Sequence, residues 1–390
     1  MKKPELLAPA GNFRCLTAAV NAGADAVYFG LEDFNMRQSA ENFSIKDLEK
    51  INKICGKVKK YLTLNTIVFD SELEKIEETI RKLKGRVDAI ICWDMSVIQL
   101  CKKYKIPFHV STQASIANKE SAKFYKDLGA ERIILARELN LEQIKEISKI
   151  INVEVFVHGA MCVSISGRCF TSQFLFKKSA NRGECLHPCR RAYKVTDHEG
   201  NELKLKNNRV MSAKDLCTLP FIEELKNAGI SAFKIEGRNR QPEYVDTVTR
   251  VYRKAIDKKL TKKDELISEL ESVYNRDFSS GFYLGTPTSD DFTGDENGSQ
   301  KKTKVSTGVV DNYFRKQGVA AVNVQSGELK INDEIIVTGD TTFFRKKIKS
   351  MEIDHKKIDI VKKGQAVGIK LPLCRVNDKV YLVVERTKRQ

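Results

Sequence analysis

The feature that most constrains the fold is the alternation, over the first 260 residues, of short apolar runs with amphipathic segments. The apolar runs have the length expected of buried parallel strands, and the segments between them have helical periodicity. The eight runs span residues 5–10, 26–30, 61–65, 89–94, 107–112, 132–137, 154–158 and 232–236. Eight strand–helix units predict an α/β fold of the TIM-like (β/α)8 barrel type, because eight parallel strands suffice to close a barrel.

An open, doubly wound parallel sheet is compatible with the same alternation and is the alternative fold. The glycine-rich fingerprint that binds dinucleotides in such sheets does not follow the first predicted strand. This difference favours the barrel, which we expect to occupy residues 1–285.

The regular alternation is interrupted after the seventh predicted strand by a cysteine-rich insertion, residues 159–232. Its segment 191–206 has the pattern of a β-hairpin that turns at Glu199-Gly200-Asn201. An insertion at this point follows the carboxyl end of a barrel strand, where the catalytic loops of such barrels lie. We therefore expect the functional site there.

A second domain is predicted after the barrel. Residues 286–303 are polar and aperiodic, which is typical of a linker. Residues 304–390 contain short alternating segments separated by Gly and Asp turns, a pattern that predicts a small antiparallel β-barrel. The order of these segments resembles the second domain of translation elongation factors.

The charge of the chain suggests a polyanionic partner. The formal net charge is +17, and residues 301–390 contain 20 basic and 10 acidic residues, a net of +10. Basic runs at 177–182 and 189–193 lie beside the cysteines and Tyr193, a combination that suits an RNA backbone and a stacked base. A solvated basic surface is the alternative. Without a run of about 18 apolar residues or a secretory signal, we expect a cytoplasmic protein that does not span a membrane.

Five of the ten cysteines fall in the insertion, with the spacing C-x6-C-x15-C-x3-C-x27-C. In a cytoplasmic protein they are not expected to form a disulfide framework. Structural zinc sites use closely paired cysteines, and only Cys185 and Cys189 approach that form. Thiols from separate loops suit an iron–sulfur cluster better, while zinc or no metal remain alternatives.

The same region has a resemblance to a known family. The stretch EVFVHGAMCVSISGRC, from Glu154 to Cys169, resembles the signature of the U32 peptidase (collagenase-like) family. Further segments match in the same order along nearly the whole chain, namely ELLAPAGNF, AVYFG, STQAS, LARELN, GECLHPCRRAY, FKIEGR and YVDTVTRVYRKAID.

This resemblance implies one of two activities. Some members are named proteases or collagenases, and others act in oxygen-independent hydroxylation of a tRNA wobble uridine, an rRNA cytidine or the ubiquinone ring. The segments FKIEGR and VYRKAID, with the C-terminal domain, most resemble the tRNA branch, which makes 5-hydroxyuridine with prephenate as oxygen donor. The expected function is therefore tRNA hydroxylation, with peptidase activity and rRNA or quinone hydroxylation as alternatives.

The hydroxylases of the family hold a [4Fe–4S] cluster on four cysteines. Transferred to the matching positions of this sequence, that ligand set implies Cys162, Cys169 and Cys185 as cluster ligands. We expect Cys217 to be the fourth ligand, and Cys189 is its rival because relatives differ at this point. A separate electron donor would be a further partner, beside tRNA and the small dicarboxylate.

A dicarboxylate donor needs cations, and arginine binds carboxylates with two parallel hydrogen bonds. Arg137 and Arg238 follow predicted strands at the carboxyl end of the barrel, and Arg37 follows the second strand. Asn65 and Gln113 also lie at strand ends and offer uncharged hydrogen-bonding groups for a ring or a base edge. We expect these five residues to bind substrate, with surface salt bridges and structural roles as the alternatives.

Three further residues are candidates for catalysis. Lys234 and Glu236 are two residues apart on the last barrel strand, so they share a face and would form a buried pair if that face is the interior. His158 ends the seventh strand and is a candidate proton donor or substrate ligand. Glu154, four residues earlier, would share its face. Paired with Cys162, His158 would instead be the base of a cysteine peptidase.

Overall fold

The computed structural model describes residues 3–38, 40–165, 167–194, 196–202, 211–258, 261–294 and 298–386. Within these ranges, no helix is both long enough and apolar enough to cross a bilayer. Up to residue 294 the elements, in chain order, are β1 (Glu5–Pro9), α1 (Phe13–Asn21), β2 (Ala26–Gly30), α2 (Leu48–Cys55), β3 (Lys59–Thr63), α3 (Leu73–Leu83), β4 (Ala89–Cys92), α4 (Met95–Tyr104), β5 (Phe108–Val110), α5 (Lys119–Asp127), β6 (Arg132–Ile134), α6 (Leu141–Ser148), β7 (Val153–Gly159), α7 (Thr171–Phe176), β8 (Asp215–Cys217), α8 (Ile222–Asn227), β9 (Ala232–Ile235), α9 (Pro242–Asp257), α10 (Lys263–Glu271) and β10 (Phe278–Ser279).

The predicted barrel is confirmed. Strands β1 to β7 pair in order and in parallel, and β9 pairs in parallel with both β7 and β1, which closes a ring of eight strands. All five residues of β2 are buried, because the barrel core covers one face of the strand and helices cover the other. Two-sided burial explains why the strands are nearly continuous apolar runs in the sequence.

The insertion adds a strand that the sequence did not indicate. The three residues of β8 pair antiparallel to the end of β7, with Cys217 opposite His158, and β10 extends this edge. A three-residue strand is too short to show periodicity, so its pairing is visible only in the fold. Of the predicted hairpin, an antiparallel bridge joins Thr196 to Glu202, and residues 195 and 203–206 lie outside the described ranges.

The C-terminal segment forms antiparallel sheets, as predicted. Its strands are β11 (Lys302–Phe314), β12 (Val319–Val324), β13 (Glu328–Lys330), β14 (Glu334–Thr338), β15 (Phe343–Lys347), β16 (Met351–Ile353), β17 (Lys356–Ile358), β18 (Ile360–Lys362), β19 (Ala366–Lys370) and β20 (Lys379–Glu385). The main ladder has the order β15-β14-β20-β11-β12-β19-β16-β17, and β13 pairs with β18. Val322, Leu329 and Val361 lie in one apolar core shared by both sheets.

The C-terminal sheet packs against the outside of the barrel. Ile336 and Phe343 belong to the apolar cluster of the barrel, and the Asn21 amide on α1 donates to the Phe343 carbonyl at 3.1 Å. Lys304 forms an ion pair with Glu243 at the start of α9. The sheet therefore lies beside α1 and α9, next to the loop that follows β9.

A charged network crosses the barrel interior. Glu154 is fully buried and accepts hydrogen bonds from Lys234 at 2.8 Å and Arg132 at 3.2 Å, and Arg132 also donates to Glu5 at 2.8 Å. Burial raises the pKa of Glu154, but Lys234 and Arg132 outweigh it and hold the pKa below its ordinary value. The expected pair of Lys234 with Glu236 is wrong, because Glu154 lies closer across the β7–β9 seam.

A β-bulge in β7 changes the side of the strand to which its later side chains point. Phe156 faces Lys234, but His158 faces Ile235, so two steps along β7 match one step along β9. The extra residue reverses the side to which later side chains point. The expectation that His158 shares a face with Glu154 is therefore wrong.

His158 points outward, into the layer between the barrel and α9. Its Nδ1 lies 3.4 Å from the Tyr252 hydroxyl, and its ring packs against those of Tyr244 and Phe278. Burial, with a smaller contribution from Arg240, lowers the pKa of His158 to about 3. The imidazole is therefore neutral and part of the packing.

We expect Glu154→Ala to lower the free energy of unfolding by roughly 3–5 kcal/mol, because it leaves Lys234 and Arg132 buried near each other without their carboxylate. The measurement is urea unfolding at pH 7. The control is Glu120→Ala, which removes an exposed ion pair with Lys123 and is expected to leave stability almost unchanged. Equal effects of the two substitutions would contradict the role given to the network.

The pH dependence of stability tests the position of His158. Its pKa in the folded chain, about 3, lies below its ordinary value of 6.5, so its contribution is complete above pH 6.5 and is lost as the pH falls towards 3. Between these values the wild type should lose about 1.4 kcal/mol per pH unit more than His158→Gln. Urea unfolding at pH 7.5, 6.0 and 5.0 measures both slopes, and parallel slopes would contradict a buried neutral imidazole.

Candidate functional site

The carboxyl ends of the barrel strands surround one cavity, called here the mouth cavity. Its lining includes seven of the eight residues predicted to bind substrate or act in catalysis, together with one predicted metal ligand, Cys162. The eighth, His158, is not among the lining residues, because the bulge turns it outward. The seven are Arg37, Asn65, Gln113, Arg137, Lys234, Glu236 and Arg238.

Glu236 and Arg37 form an ion pair at the edge of the mouth cavity, with Nη2 and Oε1 3.1 Å apart. Burial raises the pKa of Glu236, but Arg37, Arg240 and Arg137 outweigh it and hold the pKa at about 2. Glu236 is therefore ionised at neutral pH and fixes Arg37 in place. Arg37 follows β2 in a segment that sequence alone could not position relative to β9.

Whereas Arg37 pairs with a carboxylate, Arg137 and Arg238 donate hydrogen bonds to uncharged oxygen atoms. The Arg137 Nη1 donates to the Ala160 carbonyl at 2.7 Å, and among the described residues its Nε has no hydrogen-bond partner. The Arg238 Nη1 donates to the Thr63 hydroxyl at 3.0 Å, and burial lowers the pKa of Arg238 to about 10, so it remains charged at pH 7. Within the described part of the chain, neither guanidinium forms an ion pair with a carboxylate.

Glycine at the end of β2 makes room for Arg238. A Cβ on Gly30 would lie 2.3 Å from the Arg238 Nη1 and 2.7 Å from the Asn35 side chain. No side chain larger than hydrogen fits there without moving the arginine. The sequence signal is the glycine that ends the AVYFG run, although its partner 208 residues later is visible only in the fold.

Uncharged groups form another part of the lining. The Asn65 Oδ1 accepts from the backbone amide of Met36 at 3.2 Å, and its Nδ2 lies 3.4 Å from the Ser111 hydroxyl, which donates to Gln113. Sequence reasoning missed Ser111. It also missed Tyr28, whose hydroxyl donates to the Ile235 carbonyl at 2.9 Å and whose ring lies under Lys234. The inward alternation of β2 could have indicated Tyr28.

Four cysteines of the insertion influence one another electrostatically, and one of them, Cys162, lines the mouth cavity. Cys162 is exposed, and Cys169, Cys185 and Cys189 are half-buried. Burial raises the pKa of the Cys185 thiol, and the charges of Cys162 and Cys169 raise it further. Burial also raises the pKa of Cys189; Arg190 opposes this shift, and the charges of Cys162, Cys185 and Cys169 add to it, so all four thiols interact electrostatically.

Cys217 lies elsewhere. It is 2% exposed within β8, its sulfur accepts a hydrogen bond from the Tyr252 hydroxyl at 3.8 Å, and burial raises its pKa to about 11. None of the other cysteines is among the charges that act on it. The charges of Cys162, Cys169 and Cys185 therefore act on Cys189 and are not among those that act on the expected fourth ligand, Cys217.

The donor chemistry of this cysteine group suits a thiolate-bound metal centre. Burial opposes ionisation of Cys169, but hydrogen bonds from Thr171, Ser164 and Ser172 outweigh it and lower the pKa. Thiolates that repel one another would be stabilised by a cationic centre, and thiolate is the form that ligates metals. In the described ranges, no three Cys, His, Asp or Glu side chains are close enough to hold a metal ion without rearrangement.

Comparison with known proteins identifies the family. A protein of Methanocaldococcus jannaschii named as an uncharacterized protease is 41% identical over 98% of each chain. A protein of Porphyromonas gingivalis named collagenase is 39% identical over 97% of each chain. The tRNA hydroxylation protein P1 of Bacillus subtilis is 35% identical over 86% of this chain and 83% of its own. The sequence profile of peptidase family U32 matches residues 11–293, and the chain therefore belongs to that family.

Proposed function

We propose that this protein is an oxygen-independent RNA hydroxylase that converts the wobble uridine of tRNA to 5-hydroxyuridine. It would use a [4Fe–4S] cluster and a small dicarboxylate oxygen donor, prephenate by the family resemblance. The observation that carries this proposal is the mouth cavity, where two arginines without a carboxylate partner among the described residues lie next to a cysteine group.

The two arginines suit the donor. A charged guanidinium in a partly buried cavity is stabilised by a carboxylate that can accept two parallel hydrogen bonds. The Arg137 Nε, which has no hydrogen-bond partner in the described part of the chain, and the desolvated guanidinium of Arg238 can each bind a carboxylate, and they lie on the loops after β6 and β9. A molecule with two carboxylates would engage both.

The remaining lining residues suit orientation and proton transfer. The amides of Asn65 and Gln113 can hydrogen-bond to a base edge or to donor hydroxyls. Burial lowers the pKa of Lys234, although Glu154 opposes the shift, and this makes its ammonium a candidate proton donor at the cavity floor. Glu236 stays ionised and positions Arg37.

The cluster would be held by Cys162, Cys169, Cys185 and Cys189. When bound, it would supply electrons or a Lewis-acid site for oxygen transfer. Cys162 lines the mouth cavity, so the group would lie beside the donor. The excess of basic residues in 301–390 suits an RNA partner better than a quinone.

Peptidase activity is the second candidate, because the collagenase and protease names belong to relatives that match almost the full chain. A cysteine peptidase needs a base within hydrogen-bond reach of its nucleophile. Among the described residues that line the mouth cavity there is no histidine, and His158 contacts Tyr252 instead. This arrangement favours the hydroxylase over the peptidase.

We expect about four irons and four acid-labile sulfides per chain in protein purified without oxygen. Cys189→Ala should lose the iron because it removes a member of the cysteine group, whereas Cys217→Ala should keep it. The matched control is Cys374→Ala, a buried cysteine in the C-terminal core. Loss in Cys217→Ala with retention in Cys189→Ala would reverse the assignment, and stoichiometric zinc would contradict the proposed chemistry.

Nucleoside analysis of tRNA tests the activity itself. We expect a strain that lacks the gene to lack wobble 5-hydroxyuridine, and the wild-type gene to restore it where Cys162→Ala does not. Hydrolysis of casein or collagen by the purified protein, with no change in the tRNA, would support the peptidase instead.

Arg137→Gln should raise the KM for the dicarboxylate donor roughly 10- to 100-fold, because a charge-assisted hydrogen bond contributes about 1.5–3 kcal/mol. Steady-state hydroxylation at varied donor concentration measures this effect. The control is Arg81→Gln on the exposed face of α3, which should leave KM unchanged. An unchanged KM in Arg137→Gln would remove this residue from the donor site.

A further inference from the structure

A second pocket lies beside the mouth cavity and is called here the arginine pocket. Arg190, Arg240 and Arg276 line it together with His187 and Asn239, and its volume is about 180 Å³. Two residues, Arg37 and Glu236, line both the arginine pocket and the mouth cavity. The two spaces are therefore neighbours separated by a single ion pair.

Positive charge exceeds negative charge around the arginine pocket. Arg37 pairs with Glu236 at 3.1 Å, and Arg240 pairs with the buried carboxylate of Asp215 at 3.5 Å. Among the described residues, these two pairs and the further guanidinium groups of Arg190 and Arg276 bring together four arginines and two carboxylates. Such an excess in a partly enclosed space suits an anion.

Arg276 is a cation of the arginine pocket for which the described residues provide no hydrogen bond or ion pair. Its Nε is buried without a partner among them. Burial lowers its pKa, and the like charges of Arg190 and Arg240 lower it further. The carbon of its guanidinium lies 5.4 Å from the centre of the Tyr274 ring. An oxyanion in the pocket would offset both desolvation and repulsion.

The arginine pocket also opens towards a larger cleft. Arg240 lines both spaces, and the cleft, of about 550 Å³, lies between the loop after β9 and the C-terminal sheet. Its lining includes Tyr274, Lys302 and Arg345. The Arg240 guanidinium lies 4.2 Å from the centre of the Tyr274 ring, so an aromatic face and a cation are held together at the junction.

We propose that the arginine pocket binds a backbone phosphate of a single-stranded RNA segment that lies in this cleft. Arginine forks match phosphate geometry, and an aromatic side chain beside a basic groove is how proteins hold single-stranded nucleic acid. The shared lining residues connect cleft, arginine pocket and mouth cavity in one path. A phosphate in the arginine pocket would place the adjoining base towards the mouth cavity. This inference rests on the proposed RNA substrate.

The test compares Arg276→Gln with the wild type in binding a fluorescent anticodon stem–loop RNA at several salt concentrations. We expect Kd to rise about tenfold and the slope of log Kd against log salt to fall by about 0.7, the value for one lost phosphate contact on a single strand. Arg276→Lys should restore most of the slope. The control, Arg81→Gln on α3, removes the same charge far from the pocket and should match the wild type.

The outcomes separate this inference from the proposed function. Wild-type affinity and slope in Arg276→Gln, with RNA bound normally, would overturn the phosphate site and leave the hydroxylase proposal intact. No RNA binding by the wild type would overturn both. Loss of affinity for prephenate but not for RNA in Arg276→Gln would make the pocket a carboxylate site and overturn the inference. Unchanged iron content in the variant confirms that the cysteine region is intact.

Discussion

The buried carboxylate of Glu154 is the interaction on which the rest of the site depends. It accepts hydrogen bonds from Lys234 and Arg132, and Arg132 reaches Glu5, so that β1, β6, β7 and β9 are joined inside the barrel. Two of these strands, β9 and β1, form the seam at which the ring closes. Because Lys234 also lines the mouth cavity, the network that supports the closure also defines the cavity floor.

Because of the bulge in β7, alternate side chains before it point into the barrel, and His158 after it points towards α9. Before it, Glu154 and Phe156 face the interior, where Arg137 lies over the Phe156 ring at 3.8 Å; after it, His158 packs outward against α9. The strand then ends at Gly159 with φ of 110°, and a Cβ there would lie 2.7 Å from the Glu236 carbonyl. The glycine therefore allows the chain to leave the barrel beside β9 and enter the cysteine-rich insertion.

Charge is distributed unevenly over this end of the molecule. Arg37 and Glu236 form a paired boundary, while Arg137 and Arg238 on one side and Arg276 on the other have no carboxylate partner among the described residues. Buried cations without partners cost stability, and a bound anion would offset this cost. The two sides would then hold different anions, a small carboxylate in the mouth cavity and a phosphate in the arginine pocket.

The amino-acid sequence by itself determined the elements that depend on short-range periodicity. The apolar runs predicted all eight barrel strands, the alternating segments predicted the antiparallel C-terminal sheet, and seven of the eight candidate residues for substrate binding and catalysis line one cavity. These predictions succeed because alternation along a strand decides which face a side chain occupies, and the common direction of parallel strands decides at which end of the barrel a residue lies.

Only the tertiary structure decided which side chains meet. Lys234 pairs with Glu154 instead of Glu236, and the charges of three other insertion thiols act on Cys189 while Cys217 is buried in β8. One extra residue in β7 turned His158 away from the cavity, and no local pattern marks that bulge. The physical reason is that partners across a closed barrel are distant in sequence, so that register, bulges and loop paths, and not periodicity, set their contacts.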